Sequence, residues 1–164
     1  MFRLAAAFFV LFASLLIAGC AAPKRANATF DDKTSFWQGR IAVNVHSKPP
    51  QAFSADFELE GAPVAGTLRL SSAIGTTIAT LHWSESGASL QANAGVQRFS
   101  SLEALTLNAV GTELPVASLF SWLSGVPKAT PGWEEDLSRV NEGRISAKHL
   151  DPAAPAEMKI ILER

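Results

Sequence analysis

The feature that most restricts the fold is a strict two-residue alternation. Phe53, Ala55, Phe57 and Leu59 alternate with Ser54, Asp56, Glu58 and Glu60, and Ile41, Val43 and Val45 share one face against Ala42 and Asn44. Period two puts successive side chains on opposite faces of a strand, so each segment has one dry face and one wet face. Pro49-Pro50 and Gly61-Ala62-Pro63 punctuate these runs as turns do. Further strands are expected at Thr67 to Leu70, Thr77 to Trp83, Ala88 to Ala92 and Gln97 to Phe99, which makes an antiparallel meander.

The period then changes. Ser100 followed by Glu103 reads as a capping box; Leu102, Leu105 and Ala109 share a helical face, and Gly111 is suited to end that helix. A second helix opens at Leu114-Pro115-Val116, carries Leu119, Trp122 and Leu123 on one side, and stops at Gly125. Strand character returns at Trp133, then in Arg144 to Leu150 and Met158 to Leu162. A sheet with one apolar face needs a cover. The expected fold is therefore mainly β, a curved antiparallel sheet with two short helices over it. Tight packing and a standing cavity both fit that pattern.

The N-terminus is compositionally separate, with 16 hydrophobic residues among the first 19. Met1 to Arg3 gives a positive start, and Leu4 to Ala18 is an uncharged run too short for the ~20 residues of a spanning helix but suited to a signal-peptide core. Ile17-Ala18-Gly19-Cys20 resembles the bacterial lipobox, which implies cleavage before Cys20 and acylation of its thiol. Residues 1–19 are thus expected to be a lipoprotein signal peptide, 20–33 a lipidated N-terminus and tether, and 34–164 one folded domain. Two or more acyl chains, at ~0.8 kcal/mol per buried CH₂, anchor durably. Ala21 rather than Asp after the cysteine implies, by the same resemblance, the outer membrane.

Other functions are disfavoured by composition. Fourteen Lys plus Arg against 15 Asp plus Glu leave no basic footprint for nucleic acid. His46, His82 and His149 have no second ligand at metal spacing, and no GxSxG or GxxxxGK[ST] motif is present. The expectation is a protein that is not an enzyme and has no metal or cofactor beyond the covalent lipid on Cys20.

Gly111-Thr112-Glu113-Leu114-Pro115-Val116, then Leu119, Trp122-Leu123, Gly125 and Pro127, followed by Gly132-Trp133, resembles the outer-membrane lipoprotein receptor family LolB. Leu68-Arg69-Leu70-Ser71-Ser72-Ala73-Ile74-Gly75 fits the same family's loop with an apolar tip, although Ala73 stands where a proline is common. The resemblance implies an incomplete β-barrel with a helical lid over an apolar cavity. It also implies acceptance of acylated lipoproteins from the periplasmic carrier LolA and their insertion into the outer membrane by a monomer facing the periplasm. It points to Trp122 and Trp133 for the cavity wall, where Phe57, Leu68, Leu70 and Leu119 join them by face and position, and to Ala73, Ile74 and Gly75 for a membrane-inserting loop. A structural or assembly-accessory lipoprotein that binds no acyl chain is the alternative.

Overall fold

The computed structural model describes residues 35–152 and 155–163. Cys20, the signal peptide and the tether lie outside the described residues. The chain runs β1 (Ser35–Val45), β2 (Gln51–Ala62), β3 (Ala65–Ser71), β4 (Thr77–Ser84), β5 (Gly87–Ala92), β6 (Gly95–Phe99), α1 (Leu102–Val110), α2 (Val116–Leu123), β7 (Trp133–Asp136), β8 (Arg144–His149) and β9 (Ala156–Leu162). The nine strands form one antiparallel sheet in the order β6-β5-β4-β3-β2-β1-β9-β8-β7. The two helices lie in the chain between the strands at its opposite edges, β6 and β7, which do not pair, so the sheet is open.

The alternation sorts the two faces as expected. Ile41, Val43 and Val45 of β1 are buried; Ile41 sits between Ala55 of β2 and Ile160 of β9, and Val43 between Phe53 and Met158. The opposite face is wet, with Arg40 on Asp56 at 2.8 Å and Arg69 on Glu58 at 2.9 Å. Such exposed pairs add little stability; their value is in fixing which face is out, since a one-residue slip would bury them.

α1 begins one residue later than the sequence pattern suggests. Ser101 is the N-cap, its Oγ accepting the Ala104 N–H at 3.2 Å, so the Ser100–Glu103 capping box does not form. Glu103 still lies in the first turn, where its charge meets the positive end of the helix. Gly111 ends α1 at φ 78°, its N–H returning to the Leu107 carbonyl at 2.9 Å. For α2, Pro115 is the N-cap residue.

The far end of the interior is filled by rings. Phe120 of α2 meets Trp37 edge-on at 5.5 Å and Trp83 at 6.1 Å. Trp83 lies over Gly66, where an added Cβ would come within 2.5 Å of the indole. Its Nε1 donates to the Ala62 and Pro63 carbonyls, both at 3.2 Å.

Candidate functional site: an apolar cavity beside an exposed turn

At the other end the interior is hollow. A cavity of about 130 Å³ separates the inner face of the sheet from α1 and α2. Its buried wall includes Ile41, Leu68 and Leu81 from the sheet, Leu105 from α1, Val116 and Leu119 from α2, and Met158 from β9. Phe53, Leu70, Ala79, Leu90, Val110 and Leu114 are only partly buried and make the rim.

Thr106 is the single polar residue of the wall, and its hydroxyl is already used: Oγ1 donates to the Glu103 carbonyl at 3.1 Å and accepts the Leu114 N–H at 3.0 Å. Nothing in the wall can orient a guest by hydrogen bonding or charge. The cavity therefore selects for hydrocarbon, with a driving force that grows with the area buried.

Leu70 and Ala79 pair across β3 and β4 as the last inward-facing residues before the connecting turn, so the rim adjoins that turn. The turn is closed tightly. Ser72 N–H donates to the Thr76 carbonyl and Gly75 N–H to the Ser72 carbonyl, each at 2.8 Å, while the Thr76 N–H reaches Ser72 Oγ at 3.2 Å. Gly75 has φ +81°, a left-handed conformation that suits glycine. Ile74, held at the apex beside exposed Ala73, is 90% exposed.

The six residues assigned to the wall from the sequence divide. Leu68, Leu70 and Leu119 line the cavity, whereas Phe57, Trp122 and Trp133 do not. Phe57 is buried in the sheet's packed interior. Trp122 is fully buried, and its Nε1 donates to the Lys128 carbonyl at 3.2 Å. Trp133 donates to the Glu113 carbonyl at 3.2 Å and leans on His149, ring centres 5.1 Å apart. Both indoles tie loops to the core. Ile41, Phe53, Leu105 and Met158 are wall residues not singled out from the sequence as such, although the alternation of β1 and β2 already turned the first two inward.

Among the described residues, the ionisable groups with displaced pKa values lie away from the cavity, on the surface. Asp56 raises Arg40 and Glu142 raises Arg139, in each case first through a side-chain hydrogen bond; the Ser138 hydroxyl, then its N–H, lowers Asp136.

Residues 35–151 match the family model described as outer membrane lipoprotein LolB. The chain belongs to the LolB family. Outer-membrane lipoprotein LolB of Cupriavidus pinatubonensis is 32% identical over 150 residues, covering 88% of this chain and 72% of that protein. LolB of Ralstonia nicotianae is 30% identical over 140 residues, or 80% and 66% of the two chains. LolB of Chromobacterium violaceum is 29% identical over 126 residues, or 74% and 67%. The matched LolB segment contains the whole β1–α2 region, and with it the Ile74 turn and all of the cavity wall except Met158.

Proposed function

We propose that this LolB-family chain is a lipid-anchored receptor at the outer membrane that takes the acyl chains of lipoproteins from a soluble periplasmic carrier of the LolA kind and releases them into the bilayer. The observation that carries this reading is the pairing of a hydrocarbon-only cavity with an exposed isoleucine turn at its rim. Cys20, through its own acyl chains, keeps the receptor at the membrane it serves. Ile74 dips into the headgroup boundary as cargo leaves. No bond is made or broken, and the protein acts as a monomer without cofactor or metal.

Size dictates how the cavity is used. About 130 Å³ is comparable to the ~150 Å³ of an engineered apolar cavity that binds benzene, so the closed state holds only a short piece of a chain. Loading requires α1 and α2 to part from the sheet. At ~0.8 kcal/mol per CH₂, a dozen methylenes supply enough drive for that, and the larger apolar volume of a bilayer draws the chains onward.

Soluble Cys20→Ala protein, titrated with a fluorescent fatty acid and examined by native mass spectrometry, tests the reading. Wild-type cavity residues should give a saturable one-to-one complex, and Leu70→Trp, which fills the rim, should weaken it at least tenfold with an unchanged melt. Absence of binding by the folded wild-type cavity would instead favour an assembly-accessory lipoprotein.

A further inference from the structure

Ile74 does not stand alone at its corner of the sheet. The β3–β4 ladder pairs Leu70 with Ala79 but Ser71 with Thr77, so Ile78 is an extra, unpaired residue in a bulge directly below the turn. A bulge bends its strand and re-aims a side chain. Here Ala79 faces the cavity while Ile78, its neighbour, is 46% exposed.

Two strands away, Val96 is 58% exposed at the β5–β6 turn. The register Val96↔Gln91↔Thr80 puts Val96 on the outer face, in the row one step along β4 from Ile78. With strands ~4.8 Å apart and ~3.4 Å per residue, Ile78 and Val96 lie about 12 Å from each other.

The charge pattern of this corner is as unusual as its apolar content. From Gly61 to Leu102 the chain contains a single acidic residue, Glu85, and that lies between β4 and β5 at the opposite end of the sheet. Arg98 is the next outward-facing residue of β6 after Val96, and the row of Val96 itself leads to a second cation, Arg69, opposite Thr80. The outer-face carboxylates Asp56, Glu58 and Glu163 lie on the side of the turn away from β5 and β6, where they line one depression with Ser71 and Gly75. An apolar stretch from the turn across β4 to β6, edged by a cation and with its carboxylates confined to the β2 side of the turn, suits the headgroup boundary of a membrane containing anionic lipid, where carboxylates would be repelled.

We infer that Ile74, Ile78 and Val96 form one three-point lipid contact with Arg98 at its edge, so that the bilayer meets the whole β3–β6 corner rather than a single tip. This rests on the proposed role of Ile74 and extends it. Two turns fix a plane where one would leave a pivot, so the rim at Leu70 and Ala79 is held against the lipid surface during delivery.

The test uses the mature lipidated protein in vesicles of phosphatidylethanolamine and phosphatidylglycerol. Acylation occupies Cys20, the only native cysteine, so a cysteine introduced by Ile74→Cys, Ile78→Cys, Val96→Cys or Val64→Cys can carry an environment-sensitive fluorophore. Val64 is 64% exposed in the β2–β3 turn, at the other end of the sheet, and is the control. Labels at 74, 78 and 96 should shift to the blue and be quenched at least twofold by lipids carrying a nitroxide, with the label at 64 unaffected. A response at 74 alone would overturn the three-point contact and leave the proposed delivery role intact. No response at any of the three would remove both, and equal quenching at 64 would show unspecific adsorption and overturn the inference.

Discussion

The indole Nε1 of Trp122 donates to the carbonyl oxygen of Lys128 at 3.2 Å, and the ring itself is wholly out of solvent. This bond joins the last turn of α2 to the loop that leads into β7. It makes the tryptophan a fastener between the lid and the sheet's β7 edge, with no surface left over for a guest.

Trp122→Ala should accordingly cost about 3–5 kcal/mol of stability through the cavity it leaves. Trp122→Phe, which keeps most of the bulk but leaves the Lys128 carbonyl with only the Thr130 hydroxyl at 3.0 Å, should cost about 1 kcal/mol. Urea denaturation gives both values. Acyl binding per folded molecule should be unchanged in the phenylalanine variant, because Trp122 is not on the cavity wall.

Thr106 is 2% exposed and holds the Leu114 N–H at 3.0 Å, linking α1 to the start of α2. Thr106→Val keeps the shape and removes the acceptor, leaving a buried donor unmet at a cost of about 1–3 kcal/mol. Thr106→Ser should recover most of the loss. Hydrogen exchange at the Leu114 amide should be faster in the valine variant and near normal in the serine variant.

Ile74→Glu should leave the thermal midpoint nearly unaltered, since surface changes at a site this exposed stay within about 0.5 kcal/mol. Loading from the carrier should also persist. Delivery to vesicles should drop by about tenfold or more, because fully burying an isoleucine is worth about 1.5–3 kcal/mol and each 1.4 kcal/mol is tenfold. A lowered melting temperature, or normal delivery, would contradict the role given to this residue.

Asp136 is held below the usual carboxylate range by the Ser138 hydroxyl and then by the Ser138 N–H, which lies 2.9 Å from Oδ1. A depressed folded-state pKa contributes stability above the unfolded-state pKa, and that contribution is lost as pH falls through the folded value. Stability should therefore decline on acidification below the ordinary aspartate pKa, and Asp136→Asn should flatten this part of the curve. Urea midpoints measured from neutral pH down through the acid limb show the difference.

The strands were legible because one face of the sheet is wet: Asp56 and Glu58 between Phe53, Ala55, Phe57 and Leu59 leave a single way to orient β2. The helix boundaries were legible to within a residue. Ser100 and Ser101 offer the same side chain, and the choice between them depends on where β6 ends, which is a matter of register. The division of the interior was hidden for a different reason. Alternation and helical spacing report that Phe57, Leu68 and Trp122 point inward, but whether an inward side chain meets another ring or a void depends on how far α1 and α2 stand from the sheet. Phe120 against Trp37 and Trp83 fills one end, and the shorter aliphatic side chains near Leu70 do not fill the other.

Leu105 and Leu119, almost without solvent exposure, bound the cavity from the helix side and stand in the way of any chain longer than the short piece it holds. In the proposed role the protein is then its own competing ligand. A guest longer than that must displace these side chains, so its apparent affinity is the intrinsic one scaled by the fraction of molecules already open. A bilayer exacts no such eviction. A receptor that partly satisfies itself when empty grips its cargo weakly enough to surrender it, and between loads it shows water little of the greasy surface that would otherwise make it aggregate.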